Sequence, residues 1–201
     1  MRVRPALVGI VLLWSTCCAS RAADSQFAGV AEVVTNQLGV LSRIQPRGAS
    51  QLVRVYFRED ATRMEFKDSA GLQYALILIK GAPTGWIVGA KGGAMPVPGM
   101  RWPLHFDPLR PCAGEGMFAD CQAGEVGMRA GQEARQWRYR LTNGTGPGNT
   151  RQGTMWLDQA TGLVLAYTGQ TGLQQQQRWE VQRVTYGPQP DALFQSPELQ
   201  P

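Results

Sequence analysis

Short runs in which apolar and polar residues alternate recur along this chain, and they restrict its fold more than any other feature. Val53, Val55 and Phe57 alternate with more polar residues, and the pattern returns in 63–67 after the polar pair Glu59-Asp60. Because successive side chains of a β-strand point to opposite faces, each run can bury one face. The two runs and the polar pair predict a β-hairpin.

The rest of the chain contains further segments of this kind. Residues 74–79 are apolar on both faces, which is typical of a strand covered on both sides. Glycine and proline are frequent (24 and 13 residues), and charged residues make up 17 % of the chain, less than the usual quarter. The sequence therefore predicts a mainly β domain with few helices. Further strands are predicted at 86–88, 137–141, 155–158, 163–167 and 174–184, with a turn at Asn143-Gly144.

Three regions need a separate interpretation. Residues 27–44 fit an amphipathic helix, but Val33-Val34-Thr35 and a turn at 36–39 favour two strands. Residues 92–124 hold much of the glycine and proline, and they predict a long connection fixed as an excursion from the sheet. The four glutamines at 174–177 are interpreted as the solvated face of a strand.

The N-terminal residues predict export from the cytoplasm. Arg2 and Arg4 precede the apolar run Ala6–Leu13, which is shorter than the ~20 residues needed to cross a bilayer. Small residues at Ser20 and Ala22 fit a signal-peptidase site, so we expect residues 1–22 to be a signal peptide. Residues 23–201 are then one domain, located in the periplasm and not an integral membrane protein. Lipid attachment at Cys17 or Cys18 is a less favoured alternative, because the residues Trp14-Ser15-Thr16 do not suit that signal.

Removing the signal peptide changes the charge of the chain. Arg2, Arg4 and Arg21 leave with it and no acidic residue does, so the formal net charge falls from +5 to +2. No dense run of lysine or arginine remains to bind a phosphate backbone. Nucleic acid is therefore not a predicted partner.

Two cysteines, Cys112 and Cys121, remain in the mature chain. An even pair in an oxidising compartment predicts a disulfide, which contributes roughly 2–3 kcal/mol in the chain-entropy model. A redox pair or a metal site is the alternative. The spacing is too wide for a C-x-x-C motif, and no second Cys/His cluster exists.

The residues needed for catalysis are scarce. His105 is the only histidine and lies in the apolar segment 102–106, where a packed structural role is favoured over that of a base. Glu115, Asp120 and Glu125 are interpreted as solvated, and the glycine-rich stretch 144–148 lacks the Lys-Ser/Thr end of a phosphate loop. The sequence thus predicts no enzyme, no metal site and no cofactor.

Large apolar side chains in the middle of the chain suggest a site for an apolar ligand, because methionine adapts to irregular apolar surfaces. The alternative is that they close the core beneath a long loop. The predicted cavity or rim residues are Trp86, Met95, Met100, Trp102, Phe106, Trp137 and Tyr139.

A series of short motifs in a fixed order covers most of the mature chain. It resembles the periplasmic LolA-like superfamily, in particular its DUF4412-type members, over roughly 27–197. The motifs are Phe27-Ala28-Gly29, Val53–Phe57, Thr62–Phe66, Ile77–Ile79, Gly85-Trp86, Glu125–Gly127, Gln136-Trp137, Trp156–Asp158, Thr161–Leu163, Tyr186–Pro190 and Leu193–Pro197.

The resemblance implies an antiparallel half-barrel with an apolar concave face closed by a lid. In LolA and LolB that cavity carries lipoprotein acyl chains, and in RseB a similar domain senses envelope stress. The chain departs from the carriers in its Cys112–Cys121 loop insertion and in lacking a clear N-terminal helix.

Two functions follow as expectations. The first is a periplasmic carrier of an apolar ligand, either a lipid or a lipoprotein acyl chain, and a solidly filled interior would count against it. The second is an envelope interaction or sensor module that docks a protein partner, for example through an exposed strand edge.

Overall fold

The alternating runs form strands, and in a computed structural model these strands make one open, curved antiparallel sheet of the half-barrel type. The structure describes residues 27–36, 50–68, 70–99, 104–142, 144–172 and 176–195. The predicted fold class, mainly β with a disulfide-tied loop, is confirmed. The predicted signal peptide, residues 1–22, lies outside the described residues. Among the described residues, no helix has the length and apolar character needed to span a bilayer.

Eleven strands and two short 3-10 turns are described. The turns are Pro147–Asn149 and Asp191–Phe194. The strands are β1 (Gly29–Thr35), β2 (Gln51–Arg58), β3 (Ala61–Lys67), β4 (Gln73–Ile79), β5 (Thr84–Gly89), β6 (Ala94–Pro98), β7 (Asp120–Arg129), β8 (Gln132–Arg140), β9 (Gln152–Asp158), β10 (Val164–Gln170) and β11 (Gln176–Tyr186).

Two meanders make up the sheet. The strand order is β6-β5-β4-β3-β2-β1-β11-β10-β9-β8-β7. Strands that follow each other in sequence are neighbours from β1 to β6 and again from β7 to β11, and the antiparallel pairing of β1 with β11 joins the two halves. The first and last strands therefore lie at the centre, whereas the consecutive strands β6 and β7 lie at opposite edges.

The predicted hairpin is confirmed as β2 and β3. Val55 pairs with Met64, and both are almost completely buried, whereas the neighbouring pair Arg54 and Glu65 lies on the other face. This is the result expected when a period-2 pattern places one face on the core. The turn at Glu59-Asp60 is also confirmed.

Strand β4 is covered on both faces, as its continuous apolar sequence predicts. Leu76 is buried on the same face as Met64, and its neighbour Ile77 is 3 % exposed on the opposite face. The C-terminal turn Asp191–Phe194 packs against β3 and β4 and buries Phe194, with the Arg58 guanidinium 4.6 Å from the centre of the Phe194 ring. The chain end therefore covers part of the outer face.

The region 27–44, whose sequence fits either a helix or two strands, forms a strand where it is described. Residues 29–35 are β1, which pairs with both β2 and β11, so the preference for strand over helix is confirmed there. Residues 37–44 lie outside the described residues.

The prediction of a long irregular connection over 92–124 was wrong at the two ends of this range. This region contains β6 and the beginning of β7, the two edge strands. Pro96 and Pro98 in β6 and Gly124 in β7 weaken the strand pattern, because proline lacks an N–H and glycine has no side chain to pack. At a sheet edge a proline nitrogen can face solvent, so these residues are tolerated.

Residues 104–119 are the described part of the connection from the β6 edge to the β7 edge, and we call them the crossing segment. Leu104 and Phe106 in this segment are buried in the core. The Val164 N–H donates to the Leu104 carbonyl (2.8 Å), and the Phe106 N–H donates to the Gly162 carbonyl (3.0 Å). Gly162 has φ +73°, and a Cβ there would lie 2.0 Å from the Phe106 carbonyl oxygen. Only glycine fits this turn, which holds the crossing segment in place.

Candidate functional site

The inner, concave face of the sheet is apolar across both halves. In one half the cross-strand row Val55, Met64, Leu76 and Ile87 is at most 3 % exposed. In the other half the row Met155, Tyr167 and Trp179 is at most 2 % exposed. The side chains on which an apolar ligand would lie are therefore already packed.

Aromatic rings fill part of this interior. The Tyr167 and Trp179 rings stack with their centroids 6.2 Å apart and an interplanar angle of 13°. Near the centre of the sheet, Phe57 meets Tyr186 edge to face at 6.2 Å. Such pairs stabilise a core beyond the area that they bury.

Buried polar groups cluster at one end of the half-barrel. The Tyr139 hydroxyl lies 2.5 Å from Thr150 Oγ1, and the Tyr167 hydroxyl donates to Gln177 Oε1 at 3.2 Å. Burial raises the pKa of Tyr139 to about 12 and also raises the pKa of Tyr167. A Cβ at Gly169 would clash with the Tyr139 hydroxyl. The cluster is therefore tightly packed, with neutral tyrosines that hydrogen-bond within the protein.

The prediction that 174–177 is the solvated face of a strand was wrong for Gln177. Gln176 is exposed, whereas Gln177 is 4 % exposed and faces the interior. Successive side chains of a strand point to opposite faces, so the neighbouring residues Gln176 and Gln177 have different environments. Gln174 and Gln175 lie outside the described residues.

The predicted ligand-binding residues do not meet in one place. Met95 pairs with Ile87, so it belongs to the inner face, but at the β6 edge it is 46 % exposed. Trp86 pairs with Ile77 and Pro96 and lies on the outer face. Met100 and Trp102 lie outside the described residues.

The remaining predicted residues lie towards the other edge of the sheet. Trp137 and Tyr139 are buried on the inner face of β8, and Phe106 is buried in the crossing segment. The Trp137 indole N–H is buried and has no hydrogen-bond partner among the described residues. A ligand-binding role for this set stays a prediction.

A pocket of about 300 Å³ opens at the end of the sheet beside the β2–β3 and β4–β5 turns. Its wall includes Leu104 and His105 from the crossing segment, together with Phe27. The His105 ring lies 4.2 Å from the Phe27 ring, and partial burial lowers the pKa of the imidazole. The His105 residue is nevertheless exposed, so the packed structural role predicted for it stays a prediction. The described residues contain no group of His, Cys, Asp or Glu side chains arranged to hold a metal ion.

The disulfide predicted between Cys112 and Cys121 is confirmed, with a Cα–Cα distance of 5.7 Å. It closes a short loop, the tied loop (Cys112–Cys121), which leads directly into β7. At its tip Met117 and Phe118 are 91 % and 74 % exposed. Apolar side chains of this size are seldom so exposed beside one another without a role in binding.

Strand β7 continues this apolar surface along an open edge of the sheet. Val126 and Met128 are 46 % and 62 % exposed. In the part of the chain that the structure describes, five of the nine large, exposed apolar side chains fall within 109–128. Sequence reasoning missed this surface, although the pair Met117-Phe118 between two disulfide-bonded cysteines was a usable signal.

No protein-family model matches the sequence, and no curated protein matches it. Several solved structures are similar in fold. An uncharacterised conserved protein from Thermus thermophilus is 12 % identical with a TM-score of 0.51, and the match covers 84 % of each chain. This similarity establishes a shared fold.

Two further structures match with lower scores. The first is MucB in the Pseudomonas aeruginosa MucA/MucB complex, 17 % identical with a TM-score of 0.41, where the match covers 87 % of this chain. This chain spans 57 % of the MucB chain. The second is the LolA superfamily protein NE2245 from Nitrosomonas europaea, 8 % identical with a TM-score of 0.40 and coverage of 89 % and 93 %. The superfamily that the sequence resembles is thus among the matches, whereas the narrower likeness to DUF4412-type proteins stays a prediction.

Proposed function

We propose that this protein is an exported, non-catalytic binding protein that docks a protein partner along β7 and the tied loop. The observation that carries the proposal is the concentration of exposed apolar side chains beside an open strand edge. The disulfide and the predicted signal peptide support a periplasmic location.

The main-chain groups of β7 support docking of an extended segment. An edge strand offers a row of unpaired N–H and C=O groups, to which a partner strand can add. Strand β7 has ten residues and no proline, whereas the opposite edge, β6, has five residues and two prolines. A bulge between Ala123 and Val126 divides β7, so the partner strand would pair with one of the two halves. Of the two edges, β7 is therefore the better template.

The tied loop supplies side-chain contacts next to that edge. Met117 and Phe118 are large and apolar, and methionine re-packs readily against different surfaces. Because the disulfide already restricts the loop, less conformational entropy is lost when a partner binds. An aromatic anchor on a restrained loop is a typical source of binding energy in an interface.

The experiment is photo-crosslinking in cells that naturally make the protein. A photoreactive phenylalanine analogue replaces Phe118 or Met128, and Ala94 on the β6 edge serves as the matched control position. We expect the same protein adduct from positions 118 and 128 and none from position 94. In a second arm, Met117→Ser with Phe118→Ser should lower the adduct yield from position 128 about tenfold, because anchor residues contribute about 1–2 kcal/mol or more.

Surface changes elsewhere give the control for that second arm. Leu52→Ser with Leu72→Ser removes two other exposed apolar side chains and should leave the yield unchanged. Equal adduct yields from both edges, or an unchanged yield after the Met117 and Phe118 substitutions, would argue against docking at this surface. Melting temperatures confirm that each variant is folded.

A carrier of an apolar ligand, a lipid or a lipoprotein acyl chain, is the second candidate. Two observations favour it: the continuous apolar inner face and the buried Trp137 N–H, which has no partner among the described residues. Buried donors in native proteins almost always have an acceptor, and an ester or amide carbonyl of a ligand would provide one. Since the inner-face side chains are already packed, entry of an alkyl chain requires them to move apart.

A further inference from the structure

The outer face of β7–β11 holds a polar groove that neither candidate function uses. Two adjoining depressions of about 640 and 570 Å³ share Thr154, Thr168 and Gln176 in their walls. Together they run across five neighbouring strands on the side of the sheet opposite the apolar core.

The strand register arranges this groove into rows. Strand neighbours are ~4.8 Å apart, so a row across five strands spans about 19 Å. Both rows consist of amide, hydroxyl and charged side chains. The first row is Asp120, Arg140, Gln152, Gln170 and Gln176. The second row is Gln122, Arg138, Thr154, Thr168 and Arg178.

The residues that line the groove carry more positive than negative charge: Arg129, Arg138, Arg140 and Arg178 against Asp120 and Glu180. Arg138 and Arg140 make no ion pair within the described ranges, whereas Arg178 pairs with Glu180 at 2.7 Å. Asp120 instead accepts a hydrogen bond from Gln122 Nε2 at 3.2 Å. Arg138 and Arg140 therefore lie on the same strand, two residues apart, and of the two Arg140 has an acidic cross-strand neighbour, Asp120.

The uncharged residues define the class of ligand further. Gln152 Nε2 donates to Gln170 Oε1 at 2.9 Å, which leaves donors and acceptors on both amides for a ligand. Amides and hydroxyls both donate and accept, as the hydroxyl groups of a sugar do. A peptide held by apolar side chains would need anchor pockets for them. The described part of the groove lacks one, because Trp156 is only 8 % exposed and Arg129 lies 4.0 Å over its ring.

We propose that this outer groove binds an acidic oligosaccharide, with Arg138 and Arg140 on its carboxylates and the glutamine and threonine side chains on its hydroxyls. The site lies on a different face from the apolar surface of β7 and the tied loop, so it does not depend on the docking proposal. Without an exposed ring for stacking among the residues that line it, recognition rests on hydrogen bonds and charge, and affinity should fall as ionic strength rises.

The test is a titration of the mature, disulfide-bonded protein, followed by NMR chemical shifts. The probes are a hexasaccharide of galacturonic acid, the neutral cellohexaose and a hexaglutamate peptide, each at low and high salt. We expect the acidic hexasaccharide to shift the side-chain amide signals of Gln152 and Gln170. It should bind at least about tenfold more tightly than either other probe.

Variants make the assignment specific. Arg138→Gln with Arg140→Gln should weaken binding of the acidic hexasaccharide at least about tenfold, while Arg183→Gln, an exposed arginine of β11 outside the groove, should have little effect. Equal binding of hexaglutamate would overturn the saccharide assignment. No binding of the hexasaccharide, or equal binding by the double variant, would overturn the site.

Discussion

At the scale of single residues, Asp158 illustrates how one polar side chain organises its surroundings. It ends β9 and is 2 % exposed. Its carboxylate accepts hydrogen bonds from the Ala160 N–H (2.8 Å), the Thr161 hydroxyl (3.0 Å) and the Tyr186 hydroxyl. Burial raises the pKa of Tyr186, which keeps this hydroxyl protonated as a donor. Asp158 therefore links the β9–β10 turn to the end of β11.

We expect Tyr186→Phe to lower the free energy of unfolding by about 1.5–3 kcal/mol, because a hydrogen bond to a charged, buried acceptor is lost. Thermal and urea unfolding measure the change. Thr185→Ala, at the exposed neighbouring position, is the control and should change stability by less than about 0.5 kcal/mol. A Tyr186→Phe variant as stable as the control would show that the bond contributes nothing.

At the scale of elements, the two edge strands differ in how they resist unwanted pairing. Pro96 and Pro98 are two residues apart on β6, so both ring nitrogens face the same side. That side must be the free edge, because a nitrogen facing β5 would interrupt the ladder that pairs Trp86 with Pro96. Strand β6 is thus blocked against pairing, whereas β7 is not.

Replacing both prolines of β6 restores two outward N–H groups and should open this edge. We expect Pro96→Val with Pro98→Val to make the protein self-associate, which light scattering after gel filtration would detect. Pro188→Val, at an exposed site outside the sheet, should remain as monodisperse as the parent protein. If the double variant behaves like this control, the prolines do not protect the edge.

At the scale of the whole molecule, local patterns predicted which segments are strands but not how they pair. The β2–β3 hairpin follows from alternation and a polar turn. The pairing of β1 with β11 joins residues such as Val33 and Val181, and no local pattern encodes a contact so distant in sequence. The edge strands β6 and β7 were missed because they contain prolines and glycines. A sheet edge tolerates these residues, but the sequence does not show which strands lie at an edge.

The candidate site was predictable only in part. The disulfide followed from the cysteine count and the predicted compartment. Trp86 was grouped with inner-face residues because it is large and apolar, yet its neighbour Ile87 takes the inner position and sends Trp86 to the other face. The exposure of Met117 and Phe118 depends on the tertiary structure around the tied loop, so composition alone did not identify them.

The carrier candidate can be tested on the whole protein. If the inner face holds an acyl ligand, native mass spectrometry of protein purified from the cells that naturally make it should find lipid bound. Trp137→Phe removes the buried indole N–H and should lower retention about threefold to tenfold, the range expected for one hydrogen bond. Trp86→Phe on the outer face is the matched control. An empty protein, or equal losses in both variants, would count against a carrier.

The central position of β1 and β11 governs the order in which this protein can mature. Residues 29–35 emerge from the ribosome long before residues 176–186, with which they pair. Until β11 is made, β1 is an edge strand with one unpaired side, and the two meanders are not joined. The sheet is complete only when β11 pairs with β1 and β10. A stalled or truncated chain that lacks β11 would therefore leave these two central strands each without a partner on one side.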